Sequence, residues 1–210
     1  MLDYFLSALV TLFVTIDPPG LAPVFVVLTT GMAGSARRQA AIQACAVAGG
    51  VLVVFALIGQ PLIGFLGISL PAFRIAGGLL LFAIAFEMVF GLREERKAVA
   101  AQTATRYDLR HVAVFPLAIP LISGPGAISA TILLASQAPS TLAVIALLFI
   151  IVLLVCACLA VFLLAPQIER ILGELGRIVV SRLLGILLAA LAVQFVADGV
   201  VAIARTAGRV

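Results

Sequence analysis

Six apolar stretches, at residues 4–31, 40–60, 71–91, 112–137, 140–165 and 179–203, leave little of this 210-residue chain over. About 20 such residues cross the roughly 30 Å hydrocarbon core of a bilayer. Hydrocarbon offers no hydrogen bonds, so each crossing must satisfy its own backbone as a helix. The chain is 64% hydrophobic and only 10% charged, where a soluble domain is about half apolar and a quarter charged. The expected fold class is an all-α membrane protein with six transmembrane helices. "MLDYF" has no basic n-region, and Asp17 and Pro18 interrupt the first run, which reads as a retained span and not a cleaved signal.

The cations orient the spans. Arg37 and Arg38 follow segment one; Arg93, Arg96, Lys97, Arg106 and Arg110 separate segments three and four; Arg170, Arg177 and Arg182 separate five and six. If every segment crosses, these ten lie on one side, which the positive-inside rule makes cytoplasmic, with both termini outside. Were segments one and four hairpins that failed to cross, the first and last of these clusters would fall on opposite sides. The net charge of +4 is thereby assigned to orientation, and no nucleic-acid partner is expected.

The connection "LREERKAVAAQTATRYDLR" divides the chain into residues 1–91, a first three-helix repeat; 92–111, a cytoplasmic linker; and 112–210, a second three-helix repeat. "FRIAGGLLLFAIAFEMVFG" from Phe73 matches "SRLLGILLAALAVQFVADG" from Ser181, pairing Arg74 with Arg182, Gly77 with Gly185 and Gly91 with Gly199. "DPPG" from Asp17 corresponds to "SGPG" from Ser123 at nearly the same offset. Three crossings per half turn the second copy upside down, and inverted repeats of this kind are typical of secondary transporters.

Both matched motifs break a helix. Asp3 to Gly34 would measure about 45 Å as one straight helix, too long for the bilayer. Pro18, Pro19 and Pro23 lack amide donors, and Pro18 pushes Asp17 out of α geometry. One half-helix is expected to end near Ile16 and the next to begin near Pro19 or Gly20. "PLAIPLISGPGAIS" repeats the device with Pro120, Gly124, Pro125 and Gly126. Unwound backbone at membrane depth must be buried in protein or line a cavity. Its free N–H groups suit an anion and its free C=O groups a cation. Two such breaks meeting near the midplane suit a small zwitterion, with its carboxylate on the amides near Gly20 or Gly126 and its ammonium on carbonyls and Asp17. Thr15, Ser123 and Ser129 add hydroxyls.

Two roles suit Asp17: an N-cap for the second half-helix, or a direct partner of substrate or coupling cation, as membrane ionisable groups usually are functional. Arg74 and Arg182 open segments three and six, where they either snorkel to the interface or take part in gating. Glu87 is a candidate for proton coupling; like Asp198, it falls toward the far interface from the arginine of its segment. His111 at the linker's edge reads as solvated. Gly49, Gly50, Gly77 and Gly78 permit close helix packing. Cys45, Cys156 and Cys158 form no redox or zinc pattern and read as apolar packing residues.

At "DPPGLAPVF", "FRIAGGLLLFAIAFEM" and "PLAIPLISGPGAIS", in that order and along essentially the entire chain, the sequence resembles the MarC family, also called the small neutral amino acid transporter family. That family's name reflects an association with multiple antibiotic resistance, which does not establish drug efflux. The resemblance implies a multi-pass protein of the bacterial inner membrane, with relatives that move glycine, alanine or similar amino acids on an ion gradient.

The expectation is therefore a secondary transporter of small neutral amino acids working by alternating access. The alternative is a transporter or channel for another small solute or ion. An intramembrane enzyme is disfavoured, since no Ser–His or metal arrangement stands in the sequence and Asp17 lacks the second carboxylate an aspartyl hydrolase needs. The expected partners are the lipid bilayer and a small-molecule substrate, with homo-oligomerisation left open. No cofactor is expected beyond a coupling ion, H+ or Na+.

Overall fold

The computed structural model describes residues 2–93, 95–97, 99 and 113–207. Arg106, Arg110 and His111 lie outside them, with most of the 92–111 connection. Seven helices are described: α1 (Leu2–Ile16), α2 (Pro18–Leu28), α3 (Gly34–Phe65), α4 (Leu70–Phe90), α5 (Pro125–Ser136), α6 (Thr141–Leu163) and α7 (Ala165–Ala207). A wide, distorted helical stretch, Ala113–Ile122, broken at Phe115 and Ile119, leads into α5. Gly173, at φ 61° and ψ 178°, interrupts α7 and sets apart its membrane-length portion, Leu175–Arg205.

Among the described residues five helical stretches are long and apolar enough to cross a membrane, and Ala113–Ile122 with α5, bent by 55°, makes a sixth span if counted as one. The apolar stretches thus reappear as five or six candidate spans, the first of them Asp3–Leu28, carried by α1 and α2.

Burial places those elements. In the first span 67% of the apolar window is buried, against 22–33% in the α3, α4, α6 and α7 spans. α5 is buried along nearly its whole length, from Gly126 to Leu134. The two broken elements therefore form the core, and the long helices ring them. The ring turns Leu57, Phe86, Phe149 and Leu183 outward, while Thr11, Thr15, Asp17, Ser123, Ser129 and Thr131 are buried. This is the distribution lipid imposes, with polar groups kept away from the hydrocarbon.

The most extensive interface joins α4 to α7, and glycines bring them together. A Cβ on Gly78 would lie 2.9 Å from the Ala192 carbonyl oxygen, and one on Gly185 would lie 3.1 Å from that of Ala85. As numbers rise along α4 they fall along α7, so the two run antiparallel. Without a hydrophobic force between helices in lipid, such close backbone approach is what holds them.

The helix starts repeat. Pro18 and Pro125 open α2 and α5, and Gly34 and Thr141 open α3 and α6, each pair 107 positions apart. The Gly78–Ala192 and Gly185–Ala85 contacts exchange under that same shift. The counterpart of Gly185 under this shift is Gly78, one position from the expected Gly77, whose own face meets Leu133 and Ser129 of α5. Gly91 and Gly199 also part ways: Gly91 ends α4 at φ 80°, whereas Gly199 lies within α7 against Pro71.

Candidate functional site

At the first break α1 ends and α2 begins on a single residue. The Asp17 N–H donates to the Phe13 carbonyl at 2.8 Å, the last turn of α1. Its backbone then turns left-handed, at φ 57° and ψ 62°, a conformation that aspartate tolerates better than most side chains. Pro18 and Pro19 have no amide, so the first N–H of α2 belongs to Gly20, and it donates to Asp17 Oδ1 at 3.2 Å. The chain's own carboxylate closes this helix start.

At the second break Phe115 and Ile119 leave helical geometry, each before a proline that disfavours it; both peptide bonds to Pro116 and Pro120 are cis. The Ser123 amide and hydroxyl both donate to the Ala118 carbonyl, at 2.9 and 2.8 Å. Gly124 is extended and precedes α5, with no side chain capping the helix. A Cβ there would lie 2.4 Å from the Pro120 carbonyl oxygen, so only glycine lets the chain fold back so tightly. Pro125 has no amide and the Ile128 N–H returns to the Gly124 carbonyl at 3.0 Å. The Gly126 and Ala127 amides are thus those without a helical acceptor, at the positive end of the α5 dipole.

The two breaks share a cavity of about 320 Å³. Thr15 lines it from the first, Pro120, Leu121, Ile122, Gly124, Pro125, Gly126 and Ala127 from the second, and Ile84 from α4. Three cations from the stretch just past α4 complete the wall: Arg93, Arg96 and Lys97. Lys97 Nζ is 2.7 Å from Asp17 Oδ2, and Arg93 Nε is 4.0 Å from the same oxygen. Arg93 also donates to the Thr15 carbonyl at 2.6 Å and to Met88 Sδ at 3.3 Å. Asp17, Arg93 and Lys97 are 2%, 5% and 4% exposed, so these charges meet with little water to screen them. Gly20 makes the approach possible, since a Cβ there would lie 2.2 Å from Asp17 Oδ2 and 2.8 Å from Lys97 Nζ.

Of the residues expected at the site, Thr15, Gly124 and Gly126 line the cavity. Asp17 and Gly20 stand behind it, bound to one another and to Lys97. Ser123 is buried on Ala118, Ser129 is buried on α5 facing Gly77, and Pro19 is half-buried. Glu87 pairs with Arg96 at 2.8 Å, at the cavity's rim. Arg74, half-buried at the start of α4, and Arg182, exposed on α7, are not among its lining residues. Among the described residues no three His, Cys, Asp or Glu side chains come together as a metal set.

Arg93 and Lys97 are the residues the sequence reading missed. Loop cations count toward orientation under the charge rule, and both of these fall within the 92–111 connection. Their four-residue spacing after Gly91 was the available signal, since it puts both on one face of a helical turn.

A family model described as "MarC family integral membrane protein" matches residues 2–204. Similar full-length relatives include a "UPF0056 membrane protein" of Archaeoglobus fulgidus, 35% identical over 94% of this chain and 92% of its own length. "UPF0056 membrane protein YhcE" of Escherichia coli is 34% identical over 90% and 88%, and a "UPF0056 membrane protein" of Aquifex aeolicus is 36% identical over 93% and 91%. No solved structure matches.

Proposed function

The chain belongs to the MarC family of integral membrane proteins, and from that premise we propose that it is a secondary transporter of small neutral amino acids. The observation that carries this reading is one cavity walled by the second helix break and, from the end of α1 beside the first break, by Thr15. Broken helices at corresponding places are where transporters of inverted-repeat construction hold their substrates. The helix starts 107 positions apart support that construction here.

The chemistry suits an α-amino acid with a small side chain. A carboxylate at the start of α5 would accept from the Gly126 and Ala127 amides and face Arg93 and Lys97. The carbonyls ending Ala113–Ile122 offer acceptors for an ammonium group. A volume of about 320 Å³ is at the small end of the roughly 300–1,000 Å³ range of ligand pockets, which favours glycine or alanine over larger side chains. In this reading the two halves rock about the site, and a proton or sodium gradient drives net movement across the bacterial inner membrane, with both termini outside. The test is gradient-driven uptake of labelled L-alanine into liposomes holding the purified protein. Uptake no greater than in protein-free liposomes under either gradient rejects it.

A second reading rests on the charge of the wall. Its three ionisable side chains are all cationic, and Asp17 is not among the lining residues. That balance favours a small anion over a zwitterion, and uptake of labelled propionate without uptake of alanine would select it.

A further inference from the structure

Along their contact, α4 and α5 trade large side chains for small ones. Gly77 of α4 has no side chain, and Leu133 of α5 fills the space beside it: a Cβ on Gly77 would lie 2.8 Å from Leu133 Cδ1. Two turns onward in α4 and two turns back in α5 the roles are reversed. Gly126 has no side chain, and Cδ1 of Ile84 occupies the space its Cβ would take. Residues seven apart share a helix face, so Ile84 stands on the face that Gly77 turns to α5, and the Gly77–Leu133 contact keeps the two helices in register there. Leu133 is fully buried, whereas Ile84 is half-buried and lines the cavity.

Thr15 adds to the same surface. A Cβ on Gly126 would lie 3.4 Å from Thr15 Cγ2, while the Thr15 hydroxyl donates to the Thr11 carbonyl within its own helix. The start of α5 thus faces two methyl groups, beside the uncapped Gly126 and Ala127 amides.

Resting on the reading above that a carboxylate binds at the start of α5, we propose that Ile84 is the residue that limits the size of the substrate's side chain. With its carboxylate on the Gly126 and Ala127 amides, the substrate brings its α-carbon and side chain against the Ile84 δ-methyl and the Thr15 γ-methyl. A hydrogen or a methyl group fits that space. A longer side chain must push Ile84 aside, and with the cavity filled by the substrate the Ile84 side chain has no space to rotate into. The wall is apolar, so it selects by volume; a pocket of this kind discriminates by about 10–200-fold per methylene. The position that corresponds to Ile84 under the 107-residue shift is Leu191. It faces a separate groove beside Leu6 and Val10 of α1 and is not among the residues lining the cavity. The limit is therefore set from one half of the chain.

Selectivity, read as a ratio, tests this. Uptake of labelled L-alanine into liposomes holding the full-length protein is inhibited with unlabelled L-alanine, with L-α-aminobutyrate, one methylene longer, and with L-valine. In the wild type the two larger amino acids inhibit at least about tenfold more weakly than alanine. Ile84→Ala removes three carbons and brings both to within about threefold of alanine. Ile84→Val removes only the δ-methyl and does the same for α-aminobutyrate alone. Leu191→Ala, an equal truncation at the corresponding position, keeps the wild-type ratios. Ratios unchanged in the Ile84 variants, or shifted as far by Leu191→Ala, overturn the proposal, as does a wild type that accepts all three alike. If Ile84→Ala fails to fold, Ile84→Val, a milder loss of buried volume, decides on the α-aminobutyrate ratio. Failure of the functional reading looks different. Alanine uptake with unchanged ratios spares the transporter and rejects the role of Ile84. Where the wild type takes up no alanine, calorimetry with propionate and butyrate in detergent replaces the uptake series. Butyrate excluded by the wild type and accepted by Ile84→Ala then keeps the size limit and rejects the amino acid, and binding of neither acid rejects both.

Discussion

The two helix breaks are built from matching sequence, "DPPG" and "SGPG", yet they leave opposite chemistry at the start of the helix that follows. At the first, two prolines remove two amides and Asp17 satisfies the next, so α2 begins with nothing to offer a ligand. At the second, Gly124 stands at the cap position that Asp17 holds at the first and brings no side chain, and the hydroxyl of its neighbour Ser123 turns back to Ala118. α5 therefore begins with the Gly126 and Ala127 amides uncapped beside the cavity. One break is filled by the protein's own anion, and the other leaves its amides open to the cavity.

The sharpest way to break this comparison is to empty the first site. Asp17→Ala leaves Lys97 and Arg93 buried with their carboxylate gone, and removing one member of a buried ion pair costs about 3–5 kcal/mol. Equilibrium unfolding in mixed detergent micelles should show a loss of that size. A loss below about 1 kcal/mol would mean that the cations relax to water and that the first break is no more charged than the second.

The glycines of the second break come next. Gly124→Ala drives a Cβ against the Pro120 carbonyl, which is backbone and cannot swing away; overpacking of this kind costs about 1–3 kcal/mol. Gly126→Ala meets only the terminal methyl of Ile84, a side-chain end that can rotate. It should leave stability within about 0.5 kcal/mol while weakening alanine binding by crowding the cavity. Equal stability losses in the two variants would show that the break's shape does not depend on the Gly124 fold-back. Ser123→Ala removes one hydroxyl bond to Ala118 and should cost about 1 kcal/mol, well below Asp17→Ala in unfolding measured side by side.

The spans, both breaks and the residue at each break were legible in the sequence, because proline and glycine act on the backbone at their own positions. Prolines at 18, 19, 120 and 125 dictate where helices must stop and restart whatever packs around them. The repeat was legible to within one position: Gly77 and Gly78 are adjacent, and only packing shows that Gly78 carries the approach to α7. The partner of Asp17 was not legible. Lys97 is 80 residues away in sequence, within a connection whose charge has an adequate explanation in membrane orientation. A carboxylate's role depends on what faces it, and here the facing groups come from a turn that looks like loop until it is folded against α4.

The smallest expected effect bears on whether all three cations of that turn act alike. Arg96 is exposed where Arg93 and Lys97 are buried, and its partner, Glu87, holds it at the rim of the cavity, with side chains 62% and 24% exposed. Water and salt screen such a pair, and pairs of this kind contribute about 0.2–1 kcal/mol. Glu87→Gln should therefore lower stability by no more than about 1 kcal/mol, and added salt should shrink the difference from wild type. Alanine binding should change little, because Lys97 and Arg93 keep Asp17. A loss as large as that of Asp17→Ala would place Glu87 on the buried network, and the division between a charge-holding first break and a binding second break would then have to include α4.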